Sequence, residues 1–206
     1  MSLEVKQIVN NPVQSNCFII YDIRKCTDCI VIDPGSDDNS LLDAFLSSYN
    51  LNPIYVLITH EHFDHCWSAD RLRCTYDAKL ICSSICSMRI QDAKKNLSLF
   101  YDQKGFELNA ADYTISSIGN KLEWHGNSIT FKETPGHTDS SISIIINNMI
   151  FTGDALIKDV KTVTKLLTGS VKDQKITDAF FKSLKGNGFI VYPGHGDIFN
   201  LDSYNL

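Results

Sequence analysis

Five of the six histidines in this chain stand in three short motifs, and each motif directly follows an apolar run. Thr59-His60-Glu61-His62-Phe63-Asp64-His65 comes after the run at Ile54–Thr59. Thr134-Pro135-Gly136-His137 comes after Ser128–Thr134, and Tyr192-Pro193-Gly194-His195-Gly196-Asp197 after Phe189–Tyr192. Phe151-Thr152-Gly153-Asp154-Ala155 places a carboxylate at the end of a fourth run. Runs of this length, rich in β-branched and aromatic residues, read as strands. Strand ends far apart in sequence that carry one kind of ligand chemistry make functional sense only if the fold gathers them at one edge.

Neutral imidazole and carboxylate suit Zn²⁺, Fe and Mn²⁺, and seven such groups are too many for one four-coordinate ion. His60 and His62 are two apart just past a strand, so in an extended segment both rings reach the same side. Asp64 and His65 lie further round the turn and can face a second ion. A helical metalloprotease motif would need a histidine four after His60, where Asp64 stands instead. In each Pro-Gly-His, proline stiffens the approach and glycine lets the backbone turn tightly. Taken singly, a Gly-His or Gly-Asp is usually a solvated turn; four pieces converging on one chemistry outweigh that reading. His125, beside a hairpin turn, reads as an exposed turn residue. Lys158, Lys161, Lys165 and Lys172 read as a solvated basic face, with an anion-binding role as the alternative.

The 206 residues suit one domain, 1–206, with a sizeable core. A hydrophobic content of 43% is that of an ordinary globule, and a net charge of −5 provides no general basic field for nucleic acid. No apolar run is long enough to span a bilayer, and no secretory signal stands at the start. Seven cysteines without such a signal favour reduced thiols in a cytoplasmic protein. Cys26-Thr27-Asp28-Cys29 sits where a hairpin turn is expected and reads as structural, as do Cys82 and Cys86.

The pattern predicts strands at Leu3–Val9, Cys17–Asp22, Cys29–Ile32 and Ile54–Thr59, with a helix near Asp38–Tyr49 capped from Ser36, Asp37 or Asp38. A short strand is expected at Lys79–Cys82, and Lys94–Glu107 reads as a loop or flap. Strands follow at Lys121–Trp124, Ser128–Thr134, Ser140–Ile146, Met149–Thr152 and Phe189–Tyr192, with a helix near Gln174–Leu184. Gly126-Asn127 and Asn147-Asn148 are the expected hairpin turns. The sum is an α+β chain: two mixed sheets face to face with helices outside.

From Cys17 to Asp197 these residues closely resemble the metallo-β-lactamase superfamily, whose fold is a four-layered αβ/βα sandwich with the metal site at one edge. His-x-His-x-Asp-His followed in order by His, Asp and His carries the resemblance. It implies one ion on His60, His62 and His137, a second on Asp64, His65 and His195, and Asp154 bridging them. The implied cofactors are two divalent ions, zinc first, with iron or manganese as alternatives. Within the superfamily the pattern looks most like glyoxalase II (hydroxyacylglutathione hydrolase) and its short relatives. That implies hydrolysis of a thioester, ester or lactone of a small molecule by a hydroxide shared between two ions, with Asp64 orienting it. Zinc β-lactamases do not carry an aspartate where Asp154 falls. Only residues 196–206 follow His195, so the glutathione-binding helical region of glyoxalase II is not expected. Lys161-Thr162-Val163-Thr164-Lys165 also replaces a Gly-Arg-Ser/Thr-Asp segment common among relatives, so a glutathione thioester is not the expected substrate. The alternative implied by the same resemblance is a persulfide dioxygenase using one Fe(II) on His60, His137 and Asp154. An RNA nuclease fits less well, because phosphate contacts need Lys/Arg density.

Overall fold

The computed structural model describes residues 3–22, 24 and 26–205. The first sheet contains β1 (Glu4–Val9), β2 (Asn16–Tyr21), β3 (Asp28–Ile32), β4 (Asn52–Leu57), β5 (Lys79–Cys82) and β6 (Tyr113–Thr114), in that spatial order. Strands β1 to β3 pair antiparallel, and β3 to β6 pair parallel. The second sheet contains β7 (Lys121–Trp124), β8 (Asn127–Glu133), β9 (Ile142–Ile146), β10 (Met149–Gly153), β11 (Ile190–Pro193) and β12 (Phe199–Asn200). It is antiparallel except where β10 and β11 run parallel. Six helices accompany these strands: α1 (Ser40–Ser48), α2 (Phe63–Cys66), α3 (Ala69–Tyr76), α4 (Ser84–Arg89), α5 (Ser98–Asp102) and α6 (Val171–Ser183).

Strand β2 shows how the layers arise. All six of its residues are buried, so no polar face alternates with the apolar one. The two-residue period still sorts them. Cys17, Ile19 and Tyr21 join a cluster with Leu42 and Leu46 of α1 and Leu72 of α3. Phe18 and Ile20 face the other way, into a cluster with Ile129, Phe131, Ile144 and Phe151 of the second sheet. Strand β3 divides likewise, Cys29 and Val31 against Ile30 and Ile32. A third cluster joins Ile150 and Val191 to Phe181 of α6. Three apolar layers therefore separate helix, sheet, sheet and helix, which is the four-layered αβ/βα sandwich. Each fully buried Ile or Phe in these layers contributes about 1.5–3 kcal/mol by leaving water.

The predicted elements appear with shifted ends. Helix α1 starts from Asn39 without a side-chain cap; Asp38 instead accepts the Ser40 N–H at 2.9 Å, and that bond holds its carboxyl below the usual range. The β7–β8 turn is one residue earlier than expected: Trp124 pairs with Asn127, leaving His125 (φ 48°) and Gly126 (φ 76°) at the corner. Asn147-Asn148 does form the next turn, between the paired Ile146 and Met149. The 94–107 segment is pinned rather than loose. Buried Asn96 donates to the Ile90 and Phe106 carbonyls, and Ser98 Oγ accepts the Phe106 N–H at 2.9 Å. The short strands β6 and β12 went unread because two-residue pairings carry no periodicity. Among the described residues, no helix is long and apolar enough to cross a membrane.

Candidate metal centre

Strands β3, β4, β8, β10 and β11 all finish at the same edge of the sandwich, and the loops leaving them carry the seven expected side chains. After β4, His62 sits in extended conformation (ψ 142°) immediately before α2. His60 and His62 consequently turn to the same side, with Nε2 and Nδ1 3.1 Å apart. His137, arriving past β8, brings its Nε2 to 3.0 Å from the same His62 nitrogen. Asp64 and His65 ride on α2 and face the other way. Asp64 Oδ2 is 3.3 Å from His195 Nε2 and 3.6 Å from His65 Nε2. Asp154 stands between the two groups, its oxygens 3.5 Å from His65, 3.5 Å from His137 and 3.6 Å from His195. All seven residues are thus in one cluster, in which His60-His62-His137 and Asp64-His65-His195 are each spaced to hold an ion.

Hydrogen bonds on the far side of four of the five rings decide which nitrogen faces the cluster. His137 Nδ1 lies 2.8 Å from the Val163 carbonyl, and His195 Nδ1 lies 2.9 Å from the Gln14 carbonyl. A carbonyl only accepts, so Nδ1 carries a proton and Nε2 is the nitrogen that faces the cluster. Thr59 donates its hydroxyl to Asp33 Oδ2 at 2.7 Å, which leaves Oγ1 to accept from His60 Nδ1 at 3.1 Å. His65 Nδ1 is held by Asp33 Oδ2 at 3.0 Å. Such outer partners orient metal-binding imidazoles and raise their basicity.

The two groups differ in charge preference. Burial, reinforced by the neighbouring rings, drives His60 well below its ordinary value and His62 down to about 3, so both stay neutral. Burial also works against a charge on His65, but Asp64, Asp154 and Asp33 outweigh it and raise it to about 10. For His195, too, hydrogen bonding to Asp64 and the charge of Asp154 overcome burial and raise it. Asp64 remains ionised: burial would raise its carboxyl, yet His65 and His195 hold it below the ordinary range.

The paired Pro-Gly-His segments need their glycines for different reasons. Gly136 has φ 146° and packs on the backbone of Gln174 in α6, where a Cβ would lie 2.6 Å from the Gln174 Cα. Gly194 has no such dihedral; a Cβ there would overlap the Asp154 carboxylate and reach within 2.8 Å of His65 Cε1. One glycine spares a helix, and the other spares the cluster itself.

Two supporting residues escaped the sequence reading. Asp33, within a turn signal Asp-Pro-Gly, is buried at φ 51° and accepts from Thr59 N–H, Thr59 Oγ1 and His65 Nδ1. Its place directly after β3, at the same edge as His60, was the available signal. Arg89 was invisible because its partners, Glu61 and Asp139, come from two distant segments. It donates to buried Glu61 at 2.8 Å and to both oxygens of Asp139, while Ser140 donates to the other Glu61 oxygen. It thereby ties the His60–His62 loop to the loop carrying His137. Beside that loop, residues 156–165, α6 and Tyr204 enclose a groove of about 630 Å³ with Val160, Val163 and Val171 on its walls and Lys161, Lys165 and Lys175 along it. Two of the four lysines expected on a solvated face thus line a groove, whereas Lys158 lies 3.8 Å from Asp197.

The residues present fit a metal. His65 Nε2 and Asp154 Oδ1 are buried polar atoms without a hydrogen-bond partner, and they point at each other across the cluster. Buried polar atoms are rarely left so. A single proton on His62 Nδ1 can be directed at only one of its neighbours, His60 Nε2 at 3.1 Å or His137 Nε2 at 3.0 Å, whereas a shared cation would engage all three nitrogens.

Comparison with known proteins agrees. The family model of the metallo-beta-lactamase superfamily matches residues 10–196. A probable metallo-hydrolase of Methanocaldococcus jannaschii is 34% identical over 196 residues, covering 89% of this chain and 88% of that protein. A hydroxyacylglutathione hydrolase of Vibrio vulnificus is 29% identical over 159 residues, covering 76% of this chain but 53% of that protein. The crystal structure of the B3 metallo-beta-lactamase BLEG-1 superposes with a TM-score of 0.86 at 25% identity, covering 96% of this chain and 94% of that one.

Proposed function

This chain belongs to the metallo-beta-lactamase superfamily, and on that premise we propose that it is a hydrolase of small-molecule thioesters, esters or lactones, working with two divalent ions. The observation that supports this reading most is the set of far-side hydrogen bonds, which fix Nδ1 of four imidazoles outward and turn their Nε2 atoms inward around Asp154. His60, His62 and His137 would hold one ion and Asp64, His65 and His195 the other, with Asp154 shared. Bound in pairs, such ions supply hydroxide at neutral pH and polarise a carbonyl, with zinc the first candidate and iron or manganese next.

The chain's own groups do the rest. Asp64, ionised and close to both His65 and His195, would orient the attacking water. Burial of His60, His65 and His137 keeps bulk water from competing for those nitrogens. Arg89 holds the two ligand-bearing loops in register through Glu61 and Asp139. The groove beside Val163 would take the acyl or leaving portion of the substrate, with Lys161 and Lys165 favouring an anionic one. The chain is taken to act as one domain, in the cytoplasm.

The likeness to BLEG-1 makes a β-lactam the rival substrate. The test is elemental analysis of protein purified without added metal, paired with turnover of thioester, lactone, β-lactam and glutathione-persulfide substrates. At least two ions per chain with oxygen-independent cleavage of a thioester, ester or lactone is the expected result. One iron per chain with oxygen consumption on the persulfide would replace this reading with the dioxygenase on His60, His137 and Asp154. Preference for the β-lactam would replace the substrate class alone.

A further inference from the structure

Cys26, Asp28 and His125 meet at the end of the sandwich away from the histidine cluster. Asp28 opens β3, whose other end leads to Asp33; His125 precedes β8, whose other end leads to His137. Cys26 and Asp28 belong to the first sheet's β2–β3 connection and His125 to the second sheet's β7–β8 turn. His125 Nε2 lies 3.5 Å from Cys26 Sγ and 3.3 Å from Asp28 Oδ2. All three ligand atoms fall within 4.8 Å of one another.

These separations have a chemical meaning. Zinc bonds of about 2.3 Å to sulfur, about 2.0 Å to imidazole and about 2.0–2.2 Å to carboxylate give tetrahedral S···N and N···O edges of about 3.5 and about 3.3 Å. Both observed distances match. A single proton on Nε2 can be directed at only one of its two neighbours, whereas a cation in its place engages nitrogen, sulfur and oxygen together. The competing arrangement is a hydrogen-bonded triad, in which Nε2–H donates to Asp28 and the thiol points to the Asp28 carbonyl at 3.7 Å.

The geometry points to a third cation site, in which Cys26, Asp28 and His125 bind a thiophilic divalent ion, zinc by ligand softness, and clamp the two sheets together at their far end. Binding releases the thiol proton and forms the metal–sulfur, metal–nitrogen and metal–oxygen bonds without any change of oxidation state. The site is structural, and its loss leaves the histidine cluster intact. A thiolate sets it apart from that cluster, which contains only nitrogen and oxygen donors.

Sulfur supplies the test. The whole chain, chelated and kept fully reduced, is titrated with Co²⁺ and followed in the near ultraviolet, where thiolate-to-cobalt charge transfer absorbs. The wild type should develop this band, with a final intensity corresponding to one thiolate-bound ion per chain. Bound ion should also shield Cys26 from maleimide, while exposed Cys74 keeps reacting. Cys26→Ser and His125→Asn should each abolish the band, lower bound metal by one ion per chain and leave hydrolysis unchanged. Asparagine tolerates the φ of 48° at position 125, so this variant keeps the turn. A wild type with no sulfur band, or a band that survives Cys26→Ser, overturns the site in favour of the hydrogen-bonded triad. Loss in Cys26→Ser but not in His125→Asn also overturns it, leaving an adventitious thiolate adduct.

Discussion

The two halves of the histidine cluster share a carboxylate but are prepared differently. His60, His62 and His137 form an imidazole-only half, in which burial and mutual repulsion keep His60 and His62 neutral. Asp64, His65 and His195 form a carboxylate-rich half in which ion pairing makes the rings hold protons, His65 up to about 10. The first half is ready to donate lone pairs; the second must shed protons to do so. The same residue type is thus tuned in opposite directions within one cavity, because desolvation dominates at His60 and His62 while the carboxylates Asp64 and Asp154 outweigh it at His65 and His195.

The largest expected effect separates the halves directly. His137→Ala should lose bound metal and reduce turnover to the uncatalysed level, since it removes a fully buried donor facing His62. His195→Ala, whose ring is the most exposed of the five with 28% of its side chain accessible, should retain one ion in the histidine cluster. Elemental analysis of both variants would break the comparison if they lost metal equally.

Next in size is Asp33→Asn. It weakens the hold on His65 and should cost about 10–100-fold in turnover or metal affinity, the usual effect of an outer partner. Because Asp33 is one of the carboxylates raising His65, the variant should also release fewer protons when metal is added. Proton release can be read by calorimetry in buffers of different ionisation enthalpy, and an unchanged value would contradict the assigned cause.

Arg89→Met should have a milder effect, about tenfold on turnover, by loosening the link between the two loops of the imidazole half. A double variant of Arg89→Met with Asp139→Asn that lost much more than Arg89→Met alone would show that Asp139 acts independently of Arg89.

The smallest effect is a pH dependence of stability after chelation. His62, held at about 3 against an ordinary 6.5, contributes stability that is present above 6.5 and lost as the pH falls toward 3. His65, raised to about 10, contributes stability that is full below 6.5 and lost as the pH rises toward 10. Denaturation midpoints of chelated protein should therefore decline on both sides of about 6.5. His62→Asn should make the acid limb shallower, His60 still contributing to it, and leave the basic limb unchanged; a monotonic profile across the range would contradict the division.

Much of this was legible beforehand. The seven cluster residues could be named because His and Asp at strand ends are chemically loud, and the strands themselves because Val, Ile and Phe runs bounded by Gly, Pro and Asn carry their own boundaries. The layered architecture followed from two strand-rich stretches with amphipathic helices between them. What escaped was what depends on distant partners. Asp33 looked like an ordinary turn residue until the fold set it against His65. Arg89 looked like the end of a short helix until Glu61 and Asp139 met it. His125 looked like a solvated turn residue, yet it lies within 3.5 Å of Cys26 across the sandwich.

The amino-acid sequence by itself determined the inventory: which side chains can bind a cation, which residues form strands, and where the chain must turn, because these rest on residue type and short spacing. Only the tertiary structure decided protonation, tautomer and the division of the cluster into unlike halves. Those depend on which carbonyl or carboxylate a ring meets through space, and no local pattern records that.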